Sequence, residues 1–290
     1  SDTTRLSLGV RRTTDEFTSK QDNFISVLVP TPLIAQQTCD REVVTEYSST
    51  TSRAVIQHDL SSDSNVYASL SEGFKAGGYA TYECTDPYDP EEVVSLEFGF
   101  KGSLGENSSL NASLFRYDYT DFQVLQVVGL QTVTRNAGDA TVNGLEIEAL
   151  SNLSDSLTLN YGVTLLDATY GEFLNTNGIE PQLGEQQLEG NYLSNAPKVS
   201  VNLGLNYTSA MASGASLTYR ANAAYKSKIY FSEFNEFSQN AYTIVDLNLI
   251  WESADETMRS RFFIKNATDE DYIAGYISAA TGGGRFGQWG

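Results

Sequence analysis

The sequence is poor in the residues from which catalytic and metal sites are usually built. Its 290 residues include one histidine, two cysteines, six prolines and only 18 lysines plus arginines, against 37 aspartates plus glutamates. The single His58 and two distant cysteines, Cys39 and Cys84, leave no zinc site of Cys and His ligands. A formal charge of -19, without any cluster of Lys and Arg, makes nucleic acid an unsuitable partner, because phosphate binding depends on such clusters. No run of about 18 apolar residues occurs, so no membrane-crossing helix is expected. That absence does not exclude a membrane protein. A transmembrane β-barrel alternates lipid-facing and lumen-facing residues and keeps its mean hydropathy, here -0.29, near or below zero. Residues 1–5 show no basic segment leading into an apolar one, so a signal peptide is expected to be cleaved or to lie outside the chain.

Aromatic residues, by contrast, reach 11%, with 17 Tyr and 14 Phe, which is not the composition of a disordered chain. The dominant pattern is period two, which sends successive side chains to opposite faces of a strand. Leu6, Leu8 and Val10 alternate with Ser7, Gly9 and Arg11; Val94, Leu96, Phe98 and Phe100 alternate with Ser95, Glu97, Gly99 and Lys101. The same alternation runs through Leu145, Ile147 and Ala149, through Leu157 to Leu165, and through residues 199–207, 215–225 and 245–251. It breaks at Leu114-Phe115-Arg116-Tyr117, where the apolar phase switches, and a bulge or an exit from lipid is expected there.

Alternation alone suits a soluble β-sandwich as well as a barrel, so the connections decide. Short polar turns at 61–65, 105–108, 154–156, 211–214 and 254–257 alternate with long segments at 15–53, 76–91, 126–139, 171–196 and 233–240, all read as irregular. Tight turns on one side and extended loops on the other are the pattern of an outer-membrane barrel. About eleven strands lie between these connections, several of them longer than is usual in soluble sheets. A β-propeller is disfavoured, since the Gly-His and Trp-Asp blade signals are missing. On the polar face, Arg11, Glu97, Lys101, Glu146, Glu148, Arg220, Lys226 and Asp246 are expected to line a hydrated lumen. Tyr117, Tyr119, Tyr161, Tyr207, Tyr225, Tyr242 and Trp251, near strand ends, suit interfacial girdles.

Several runs resemble those of the TonB-dependent outer-membrane receptors. Val66-Tyr67-Ala68-Ser69-Leu70-Ser71-Glu72-Gly73-Phe74-Lys75-Ala76-Gly77-Gly78-Tyr79 is similar to a strand of that family rising into an extracellular loop. Leu96-Glu97-Phe98-Gly99-Phe100-Lys101, Phe115 to Phe122, Asn136-Ala137-Gly138-Asp139-Ala140 leading to Gly144-Leu145-Glu146, Asn195-Ala196-Pro197-Lys198 and Asn266 to Tyr272 follow in the family's order. The resemblance implies an all-β fold, an antiparallel transmembrane β-barrel of which residues 1–290 supply about eleven of 22 strands. It also implies a plug domain and a last strand outside this chain. The function implied is TonB-dependent uptake, through the bacterial outer membrane, of a scarce nutrient such as a ferric siderophore. A passive porin or structural barrel is the alternative. The implied partners are outer-membrane lipid, the plug and remaining strands, the TonB complex and a small extracellular ligand, with no nucleic acid.

No catalytic constellation, cofactor site or metal site is found, and no enzymatic activity is expected. If the resemblance holds, ligand contacts are expected at loop tips: Tyr79, Tyr82 and Tyr88 in one loop, Arg135 and Asn136 in another, and Tyr230, Phe231, Phe234 and Phe237 in a third. Packing of these loops against the plug is the competing role. Cys39 and Cys84 fall in adjacent long loops on the outer, oxidising side, where a disulfide is expected, with two unpaired thiols as the alternative.

Overall fold

The computed structural model describes residues 3–27, 34–79, 87–128, 131–177, 180–278 and 285–289. Eleven strands form one antiparallel sheet in which each pairs with the next of the eleven along the chain. They are β1 (Thr4–Val27), β2 (Ile34–Asp59), β3 (Ser64–Lys75), β4 (Glu91–Ser103), β5 (Ser108–Thr120), β6 (Ala140–Ser154), β7 (Leu157–Tyr170), β8 (Val199–Ala210), β9 (Ser216–Lys226), β10 (Tyr242–Glu252) and β11 (Arg259–Ile264). The one helical turn among the described residues is Pro181–Leu183.

Register converts the sequence alternation into two faces. Leu6, Ile56, Ala68, Phe98, Leu114, Leu145, Leu165 and Val199 are successive cross-strand partners from β1 to β8. One residue along, Gln57, Tyr67, Gly99, Ser113, Glu146, Thr164, Ser200 and Lys226 form a polar row on the other face. A slip of one residue in any pair would exchange the faces, so the apolar row fixes the register throughout. Leu8, Phe98 and Phe262 are 74%, 51% and 67% exposed. An apolar surface of this extent is stable only when another apolar phase covers it, which for a membrane barrel is lipid. All eight charged residues expected in the lumen fall on the polar face.

Two expectations are corrected and two are narrowed. Residues 15–53 are not irregular, because β1 and β2 continue as one ladder for 24 and 26 residues. No glycine or proline interrupts residues 10–29, and Thr13, Thr14, Phe17, Thr18, Val43, Val44, Thr45 and Tyr47 are all good strand formers. Phe17 and Tyr47 meet edge to face within this ribbon, 6.3 Å apart. Likewise 126–139 is largely a hairpin, Gln123–Val128 paired with Gln131–Asn136. The switch at Leu114 to Tyr117 is not a bulge: β5 keeps an unbroken register with both neighbours. Phe115 is instead an inward ring lying on Gly144, where any Cβ would come within 2.1 Å of it, and Tyr117 stacks on it at 4.8 Å. Leu114 ends the lipid-facing run, and on that face Arg116 pairs with Asp118 at 2.7 Å. The girdle reading is also divided. Tyr161, Tyr207, Tyr225 and Trp251 share the lipid-facing side, whereas Tyr117, Tyr119 and Tyr242 face inward.

Candidate functional site

The inner wall is built from the motif residues. The Tyr67 ring lies across Gly99, its hydroxyl donates to the Glu97 carboxylate, and the Lys101 ammonium stands 5.2 Å from the ring centre. Glu97, Gly99 and Lys101 are thus a seat for one tyrosine, with the glycine supplying the space. Phe115, Tyr117, Glu146 and Glu148 complete a cleft of about 240 Å³. Motif residues at turns have equally local reasons. Asn266, with φ of 47°, receives the Glu270 amide and donates to its carbonyl at 3.0 Å each, closing the turn after β11.

Above the wall, the long connections join into one rim. The β1–β2 ribbon meets the loop after β3 through a hydrogen bond between the Thr45 and Tyr79 hydroxyls, and the Tyr47 hydroxyl donates to the Tyr88 carbonyl at 3.1 Å. Gly78 and Tyr88 close that loop by exchanging backbone bonds of 3.1 and 2.8 Å. The buried Gln123 side chain then donates to the Ala76 and Asp89 carbonyls at 3.0 and 3.1 Å, and the Gln123 backbone N–H donates to the Glu91 carboxylate at 2.7 Å. Asn136 acts like a short piece of strand: it receives the Asp89 amide at 2.7 Å and donates to the Asp89 and Asp121 carbonyls at 2.9 and 2.8 Å.

An apolar cluster lies under the middle of the rim. Val124, Ala137, Ala140, Ala168, Tyr170, Phe173, Leu188 and Leu193 are buried together, with Phe122 and Phe234 packed against them. Tyr119, Phe122, Tyr170 and Phe173 form a chain of rings 5.3 to 6.2 Å apart. Such contacts contribute about 0.5–1.5 kcal/mol each beyond burial. The last two loops are joined by amides. Asn175 and Asn177 donate to the Glu233 and Glu236 carboxylates at 3.1 and 2.9 Å, and Asn191 donates to the Glu233 carbonyl at 2.9 Å. Asn235, with φ of 55°, receives the Tyr192 amide at 2.8 Å and donates to its carbonyl at 2.9 Å.

The candidate contact residues are distributed along this rim. Tyr79, Tyr88, Asn136, Tyr230 and Phe234 hold its parts together, and Phe231 and Phe237 close a small hairpin through a 2.9 Å backbone bond. Arg135 is exposed at the end of the Gln131–Asn136 strand. Tyr82 and Cys84 lie outside the described residues, as does the Cys39 side chain, although its backbone belongs to β2. Glu233, Asn175, Asn191 and Asn235 escaped the sequence reading. Only Asn235 carried a local hint, since asparagine tolerates the positive φ it adopts there.

Glu233 carries a pH dependence. Burial, aided by Glu236, pushes its carboxyl above the usual 4.5, against the opposing pull of a backbone hydrogen bond and of Asn175. An acid whose folded pKa is raised contributes docking stability that is complete below the unfolded value and is lost as pH rises through the folded one. Hydrogen exchange over 171–193 and 229–239 should therefore slow as pH falls towards 4.5, after correction for intrinsic rates. Glu233→Gln, which keeps the acceptor for Asn175, should slow it several-fold at neutral pH and flatten the profile. Faster exchange in the variant would contradict this assignment.

The decisive comparison is with a family model. The one described as TonB dependent receptor-like, beta-barrel, matches residues 1–267. The chain belongs to the TonB-dependent receptor family. Its place is therefore the bacterial outer membrane, and the apolar face is lipid-facing. As TonB-dependent receptors, its relatives include a probable siderophore receptor, PiuA of Acinetobacter baumannii, 27% identical over 190 residues, or 64% of this chain and 24% of the relative. The ferrioxamine B receptor of Salmonella typhimurium is 24% identical over 212 residues, covering 72% of this chain and 28% of the receptor. Among solved receptors, the ferric yersiniabactin uptake receptor FyuA of Yersinia pestis superposes with a TM-score of 0.80 at 18% identity, covering all of this chain and 42% of FyuA. The chain thus spans about a quarter to two-fifths of the length of these receptors.

Proposed function

We propose that this chain is part of the wall and outer rim of a receptor that imports a ferric siderophore at the expense of TonB, in a 22-stranded barrel gated by a plug. The observation that carries the reading is the family match over 1–267, in which the named sequence relatives include receptors for siderophores. The rim supports it physically. Loops tied to one another hold aromatic and polar groups in a fixed arrangement, which lowers the entropy lost on binding a rigid chelate. In this reading Tyr79, Tyr82, Tyr88, Arg135, Asn136, Phe231, Phe234 and Phe237 border the ligand, with Arg135 facing its anionic groups, whereas Tyr230, stacked on Tyr192 on the outward side, is left out of the expected set. A passive pore is the less favoured reading, because the relatives are named as receptors.

The test is uptake by iron-starved cells expressing the complete gene. With a panel of radiolabelled ferric siderophores, at least one should enter only when the gene and an energised TonB system are both present. Arg135→Ala should weaken binding of that chelate by roughly ten-fold or more, the value of a lost charge-assisted hydrogen bond. Uptake that persists without TonB would favour the pore, and no gene-dependent uptake of any iron chelate would remove the siderophore reading.

A further inference from the structure

Just above the lipid belt, on the outward face, two tyrosines and two lysines come together. Tyr192 pairs with Thr169, so its side chain shares the face of Thr169, which by register is that of Leu165 and Leu145. Tyr230 stacks on Tyr192 with ring centres 6.0 Å apart and planes 9° from parallel. The Lys198 ammonium is 4.0 Å from the centre of the Tyr192 ring and bonds its hydroxyl, and the Lys228 ammonium is 4.5 Å from the centre of the Tyr230 ring. Both lysines are exposed and both rings half-buried. Asp167, on the same face, is the acidic neighbour of Lys198.

The height of this group matters. Leu165 is the last apolar residue of β7 on the lipid side, and Thr169 lies four residues further on. That is about 13 Å along the strand, or roughly 10 Å along the membrane normal for a strand tilted by about 40°. The group therefore stands at the level of the headgroups, which begin where the hydrocarbon ends.

We propose that Tyr192, Tyr230, Lys198 and Lys228 form a docking site for the phosphorylated sugar headgroup of a glycolipid in the outer leaflet. A chain of net charge -19 repels anionic headgroups as a whole, so attraction requires local exposed cations. Two ammonium groups on neighbouring rings supply them and suit phosphate as point charges. The tyrosines set polar tips beside these cations at the level of the headgroups, and such tips suit the hydroxyls of a sugar better than a phosphoglycerol. They also hold the flexible lysines in place, reducing what is lost on binding. Directly below, the apolar face around Leu165 and Val199 continues the site for the acyl chains.

Native mass spectrometry of the full-length receptor in detergent tests this with three probes: a diphosphorylated glucosamine-disaccharide lipid, its dephosphorylated counterpart and phosphatidylglycerol. The wild type should prefer the first. The double variant Lys198→Gln, Lys228→Gln should bind it at least ten-fold more weakly, and Lys198→Arg with Lys228→Arg should retain most of the affinity. Lys226→Gln, whose lysine lies on the inner face, should change nothing. Equal binding of the diphosphorylated lipid by wild type and the Gln variant would overturn the proposal. Binding of phosphatidylglycerol as tight as that of the glycolipid would overturn the sugar assignment.

Discussion

Arginine in place of Leu203 should cost the full-length receptor about 2–4 kcal/mol of stability in phospholipid vesicles, the expense of a charged side chain near the bilayer midplane. Leu203 pairs with Tyr161 on one side and Ala223 on the other, and all three face lipid. The adjoining Asn202 points to the inner face between Gly162 and Ala224. Asn202→Arg should therefore be tolerated within about 1 kcal/mol, because its guanidinium can stay hydrated. Denaturant titration followed by tryptophan fluorescence reads both variants, and heat-modifiable migration on gels reports whether the barrel assembles. Equal effects at 202 and 203 would mean that the assigned faces are wrong.

The second large effect is expected at Gly138. A methyl group there would sit 1.7 Å from the Glu172 carbonyl oxygen, and no side-chain rotation relieves a clash with backbone. Gly138 also receives the Phe122 amide at 3.0 Å, while the Gly171 amide donates to the Asp139 carbonyl at 2.7 Å. The clash therefore falls where the hairpin after β5 meets the loop after β7. Gly138→Ala should destabilise this junction by on the order of 3 kcal/mol, at the upper end for overpacking. Faster hydrogen exchange at 119–124 and 168–193 should show it, with exchange in the lipid-facing segments unchanged. Protection retained at 168–193 would show that the two loops are not joined there.

The faces of the wall were legible because their cause is local. Lipid on one side and a hydrated lumen on the other force a two-residue period, and Leu157 to Leu165 displays it without reference to any other segment. Phe115 misled because its phase depends on Gly144, a residue on the next strand whose missing side chain makes the space. The rim was hidden for the same kind of reason, over longer range. Asn136 joins Asp89 across a separation of 47 residues and Asn175 joins Glu233 across 58. Nothing in the spacing of an asparagine announces which distant carbonyl or carboxylate it will meet. The β1–β2 ribbon was in principle readable. Segment length suggested a loop, but the absence of glycine and proline over 10–29 and the threonine-rich alternation were already evidence for strands.

That ribbon reaches well past the lipid. The apolar face of β1 ends at Val10, and paired backbone continues to Val27. At about 3.4 Å per residue this is more than 50 Å along the strand, and roughly 40 Å of height at a tilt of about 40°. A ladder of that height stands clear of the headgroups, so on a living cell it is open to an antibody or a bacteriophage. Residues facing such visitors can vary freely as long as their period survives, since the backbone ladder holds the ribbon's shape. Selection by an immune system or by phage would thus act on a part of the molecule separate from the rim below it.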